Sequence, residues 1–190
     1  MSASNSRLFI SGKELILRKT FIVLCLILTC SLFTFAQDYS KADVFAGYQW
    51  TSVDNGSGFD RLNFNGWNGA LTGYFNKNFG ITADFAGAYK SESGASIKIH
   101  SFMFGPTLRM DGEKASPFVH ALFGAAHGSA GFGGLSGTDN AFAYAFGGGV
   151  DWNASKSVAI RVGQFDYVGT RFGGENQKNF RYSGGVVFKF

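Results

Sequence analysis

The last residues of the chain, Phe180 to Phe190, alternate without interruption. Phe190, Phe188, Val186, Gly184 and Tyr182 share one face, and Arg181, Ser183, Gly185, Val187 and Lys189 share the other. Successive side chains of a strand point to opposite sides of its sheet. One side of this sheet is therefore aromatic and aliphatic, and the other is small or charged. Such a split fits a wall that meets lipid outside and a polar interior inside.

The other end of the chain reads as an export signal. Arg7, Lys13, Arg18 and Lys19 precede an apolar run from Phe21 to Phe35, and Thr34-Phe35-Ala36 supplies small residues where a signal peptidase needs them. Basic region, apolar region and small-residue site together make a secretory signal peptide over residues 1–36, cleaved between Ala36 and Gln37. A membrane anchor is the rival reading. The run is shorter than the ~20 residues a bilayer-spanning helix needs, and no basic stop-transfer cluster follows it.

Cleavage there changes what composition implies. The leader holds four of the 17 basic residues and one of the 13 acidic ones, so the rest of the chain is nearly neutral. Charge then gives no support to nucleic-acid binding. Cys25 and Cys30, the only cysteines, also lie in the leader, which leaves no disulfide, thiolate nucleophile or thiolate metal site. The remaining residues, 37–190, are enough for one domain. They are rich in glycine and aromatics, poor in helix formers, and contain no apolar run long enough for a membrane helix. A chain of this kind can cross a membrane only as a closed barrel.

Eight strands are predicted between turn signals: about 42–51, 66–75, 80–90, 97–109, 117–126, 141–152, 158–167 and 180–190. The third and sixth alternate most cleanly. Phe85 and Tyr89 oppose Asp84, Ala86 and Lys90, and Phe142, Tyr144 and Phe146 oppose Ala141, Ala143 and Ala145. The second and fifth strands alternate poorly. Pro106 lacks a ladder donor and suggests a bulge or rim, and Gln164-Phe165-Asp166 breaks the alternation of the seventh strand as a bulge would. The connections are expected to alternate in length. Ser52 to Asn65, a short loop at Glu92 and Gly94, His127 to Asn140, and Gly169 to Asn179 are the longer ones. Aromatics near strand ends (Trp50, Trp67, Phe75, Tyr89, Trp152, Phe190) suit interfacial girdles. A soluble eight-stranded barrel would alternate too, but the leader, the terminal strand and the one-sided loops favour the membrane form.

Nearly the whole predicted mature chain resembles the small outer-membrane β-barrels related to the barrel domain of outer-membrane protein A. The expected fold is therefore all-β, an eight-stranded antiparallel up-and-down transmembrane β-barrel in the bacterial outer membrane. In such barrels the terminal strand is read by the assembly machinery, so the resemblance makes Phe190, Phe188 and Val186 the assembly signal. It also implies outer-membrane lipid and lipopolysaccharide as surroundings, periplasmic chaperones and the barrel assembly machinery as partners, and a monomer.

Eight strands leave a lumen that side chains can fill. Asp84, Lys90, Arg109, Asp151, Arg161, Arg181 and Lys189 fall on the predicted inner face, where they are expected to pair with one another as a polar network. Function is read as structural or surface-interacting, without enzyme activity or cofactor. A narrow channel or small-solute transporter is the second reading. A lipid A-modifying enzyme is the third, because His127-Gly128-Ser129 resembles the His-x-Ser of lipid A deacylases. Ala130 stands where that family has asparagine, and no carboxylate lies in the same strand. His100 and His120 read as ordinary strand residues, no metal-binding cluster is evident, and Gly131 to Gly134 precedes no helix and so is not a phosphate loop.

Overall fold

The computed structural model describes residues 39–54, 61–92, 95–132, 135–172 and 175–190. The leader and its cleavage site lie outside the described residues. Eight strands run β1 (Ala42–Val53), β2 (Leu62–Tyr74), β3 (Phe79–Glu92), β4 (Ala95–Arg109), β5 (Ala115–Phe132), β6 (Leu135–Asn153), β7 (Val158–Phe172) and β8 (Glu175–Lys189). Each pairs antiparallel with its neighbours in sequence, and β8 returns to β1 to close the barrel. The closing seam is continuous from Asp43 opposite Lys189 to Ser52 opposite Phe180. At its end the Lys41 amide donates to the Phe190 carbonyl, and the Phe190 amide donates to the Ala42 carbonyl.

The connections differ from expectation. At the end of the barrel that holds Phe190, the turns remain short, between Tyr74 and Phe79, Arg109 and Ala115, and Asn153 and Val158. At the far end, three of the four expected loops are largely strand. Within 127–140, read as a glycine-rich loop, residues 127–132 belong to β5 and 135–140 to β6, whose pairing runs on to Phe132 opposite Leu135. Most of 169–179 likewise belongs to β7 and β8. Glycine, serine and threonine mask these extensions in the sequence, because above the lipid both faces of a strand meet water and the apolar alternation stops. The asymmetry is thus carried by strand length: β6 has 19 residues, against the ~9–11 that cross a bilayer.

Pro106 does not mark a bulge. It faces outward opposite Ile81, and the β4–β5 register is the same on either side of it, with Phe104 opposite Phe123 and Thr107 opposite His120. The irregularity lies in β7. Its register slips by one residue against β6 and against β8 around Val162 and Gly163. The Tyr182 hydroxyl donates to the freed Val162 carbonyl at 3.0 Å. The extra residue restores the inward direction at Gln164 and Asp166, both buried.

Large apolar side chains cover the outside. Phe85, Phe102, Phe104, Phe146, Phe165, Val186 and Phe188 are all exposed, Phe104 at 57%. The inside is mostly polar or small: Asp84, Arg109, Asp151, Arg181, Ser183, Ala143 and Ala145 are buried. This inverts the arrangement of a water-soluble protein.

Candidate functional site

The lumen holds a chain of ion pairs and hydrogen bonds built from six strands. Arg161 on β7 grips Asp151 on β6 with two bonds, of 2.8 and 3.0 Å, and donates to the Gln164 side-chain oxygen at 2.7 Å. Its guanidinium lies between the rings of Phe45 and Phe118, 4.3 and 4.2 Å from their centroids. Gln164 passes the chain on by donating to Asp166 at 2.7 Å. Asp166 also takes a bond from Arg181 at 2.8 Å and stands 2.7 Å from the His120 Nε2. Arg181 reaches across to Asp84 at 2.7 and 3.3 Å, and Asn68 donates to Asp84 at 2.8 Å. Nearer the Phe190 end, Arg109 pairs with Asp43 at 2.7 Å and lies over the Tyr74 ring.

Register explains how His120 and Asp166 meet across an intervening strand. His120 lies opposite Gly147, Gly147 opposite Asp166, and Asp166 opposite Arg181. Glycine leaves the gap. A Cβ on Gly147 would stand 2.1 Å from the Asp166 carboxylate. Burying these charges costs several kcal/mol per ion, an expense offset only by paired, multiply bonded partners.

Of the seven predicted lumen residues, Asp84, Arg109, Asp151, Arg161 and Arg181 take part in these pairs. Lys90 pairs instead with Glu92 near the far end of β3, and Lys189 donates to Asn153 at the opposite end. Sequence reasoning missed Asp43, His120, Gln164 and Asp166 as members. Asp166 and Gln164 follow the β7 bulge, which shifts the face they occupy. His120 sits in a strand with weak alternation, and Asp43 meets Arg109 only through the fold, 66 residues away in sequence.

Two small cavities, of ≈ 40 and ≈ 10 Å³, border the network. His127 and Ser129 share the outer face of β5, but the His127 Nδ1 bonds to Asn140 at 2.8 Å on β6. Asp139, the nearest carboxylate in sequence, belongs to the opposite face. These residues do not assemble a serine nucleophile with a base and an orienting acid. Among the described residues no group of three His, Cys, Asp or Glu side chains could hold a metal.

The sequence matches no protein-family model and no curated protein sequence. Solved structures do match. Ail, the attachment invasion locus protein of Yersinia pestis, is 24% identical with a TM-score of 0.62, over 80% of this chain and 99% of that one. Ail in complex with the heparin analogue sucrose octasulfate is 25% identical over the same shares, with a TM-score of 0.61. Neisserial surface protein A is 16% identical with a TM-score of 0.64, over 81% of this chain and 100% of that one. By fold, and by an apolar outer wall around a charged lumen, the chain is an eight-stranded barrel of the small bacterial outer-membrane type.

Proposed function

We propose that this is a non-enzymatic envelope protein: a monomeric barrel whose lumen is plugged and whose far strand ends are presented at the cell surface. The carrying observation is the connected ion-pair network, which the small ≈ 40 and ≈ 10 Å³ cavities border. Cavities this small support a filled lumen, whereas water-filled porins use about sixteen strands. Purified protein in planar bilayers is expected to stay silent. Reproducible conductance steps from wild-type protein would replace this reading with the narrow-channel one.

The outer wall supports lipopolysaccharide as the surrounding lipid. Arg61, Lys98, Arg171 and Lys178 all lie exposed at the far end. Arg61 is anchored there by bonds to Ser52 and to the Lys178 carbonyl, with its guanidinium over Phe180. A collar of cations directly above exposed aromatics suits the anionic headgroups of an outer leaflet. Ail was solved with a polysulfated heparin analogue, which is in keeping with polyanion contact at this end. On this reading the leader is removed between Ala36 and Gln37, chaperones carry the chain across the periplasm, and the assembly machinery reads Val186, Phe188 and Phe190.

A further inference from the structure

Above the ion-pair network the character of the lumen changes. Met103, Leu122, Ala126, Ala143, Ala145 and Val168 form an apolar layer. Beyond it, Val53, Phe64 and Ala88 pack with Leu62, Ile97 and Ile99. Their inward faces bound a cavity of ≈ 400 Å³ at the end of the barrel opposite Phe190. Register sets its wall: Ile99 lies opposite Gly128 and Gly128 opposite Asp139, while one row further out Ile97 lies opposite Ala130 and Ala130 opposite Gly137. Val53, Ile99 and Gln177 also line the ≈ 40 Å³ cavity beneath, which Arg181 borders in turn. The cavity is therefore a cup whose walls are mostly apolar, with Asp54, Ser129, Thr138, Asp139 and Gln177 also lining it.

We infer that this cup binds a small uncharged apolar solute of aliphatic or single-ring aromatic type. Apolar walls need no polar partner from the occupant, and burial of its surface provides the affinity. The volume falls within the range of small-molecule sites, and far smaller apolar cavities hold a benzene ring. Because most of the wall is apolar, shape and size would set selectivity. The inference does not depend on whether the barrel conducts.

Four isoleucines lie in residues 37–190, and the fold divides them. Ile97 and Ile99 line the cup, whereas Ile81 and Ile160 are exposed on the outer wall. Methyl NMR of isoleucine-labelled protein in lipid nanodiscs, titrated with toluene, separates the two locations. The Ile97 and Ile99 signals are expected to shift saturably and to show contacts with toluene protons. Those of Ile81 and Ile160 should move only in proportion to toluene dissolved in lipid. A Cβ on Gly137 would meet nothing within 4 Å, so Gly137→Phe should fill the cup and abolish the saturable shift. Ala130→Phe, from the opposite position on β5, serves the same purpose should the first variant fail to fold. Absence of saturation at Ile97 and Ile99 in wild-type protein overturns the inference. So does saturation that survives in a folded filled variant, and so do contacts from lipid acyl protons at Ile97 and Ile99 before toluene is added.

Discussion

At the scale of single residues, the lumen depends on what is missing as much as on what is charged. Gly147 is the clearest case, because its absent side chain is the space through which His120 and Asp166 meet. The close atom belongs to a buried carboxylate held on several sides, so it cannot swing away. Gly147→Ala is expected to break the His120 contact and destabilise the barrel by about 1–3 kcal/mol, the usual range for an overpacked site. Urea unfolding in lipid vesicles measures this, and an unchanged midpoint would mean that Asp166 has more freedom than its bonds suggest. Gly147 carried no such meaning in the sequence, where it is one glycine in a run of three. Only the register that places it between His120 and Asp166 gives it a role.

At the scale of the strand, alternation decides which side chains meet lipid. Phe85, Phe146 and Val186 are exposed on the outer wall, while their neighbours Ala86, Ala145 and Val187 are buried inside. Arginine at the first set is expected to cost about 2–4 kcal/mol near the bilayer midplane. A labelling experiment reads the same division without unfolding. Since both cysteines lie in residues 1–36, single cysteines at 85, 146 and 186 should react with a lipid-soluble maleimide, and those at 86, 145 and 187 should not. Equal labelling of both sets would mean that the strand faces are wrongly assigned. For β8 the end of the strand matters separately. Phe190 is exposed beyond the last ladder pair, so it adds little packing to the finished barrel. Phe190→Asp should therefore lower the amount of heat-modifiable, folded protein in cells far more than it lowers the stability of whatever folds. Normal cellular levels of that variant would remove the assembly role.

These strand assignments were legible wherever lipid meets one face and the lumen the other, because that contrast writes a period of two into β1, β3, β6 and β8. Legibility failed in two places for two physical reasons. Above the membrane both faces are wet, so the extensions of β5 to β8 carry turn-like residues and read as loops. In β7 one inserted residue inverts the pattern midway, which concealed Gln164 and Asp166 although the break itself was visible. That the lumen charges pair was legible, but which residue meets which was not, because closure brings Asp84 of β3 against Arg181 of β8, a contact that local spacing does not encode.

For the molecule as a whole, the central question is what closes the lumen: the ion pairs, or the apolar layer above them. Asp84 and Arg181 can answer it, since they bridge opposite walls, and each borders one of the two narrow cavities. Removing one of the two would strand a buried charge, at a cost of about 3–5 kcal/mol, and would confuse leakage with misfolding. Removing both leaves no charge behind at position 84 or 181; Asp166 loses its bond from Arg181 but keeps its contacts with Gln164 and His120. The double substitution Asp84→Ala, Arg181→Ala deletes two side chains that cross the lumen and leaves space that water can enter. Asp43, Asp151 and Asp166 then face Arg109 and Arg161, an excess of one carboxylate, so whatever passes should favour cations. Small conductance steps are expected in planar bilayers where the wild-type protein is silent, with a reversal potential in a potassium chloride gradient displaced toward the potassium side. Folding is checked first by heat-modifiable migration. If the folded double variant stays silent, the packing of Met103, Leu122 and Val168 closes the barrel by itself, and the ion pairs serve to hold the strands in register.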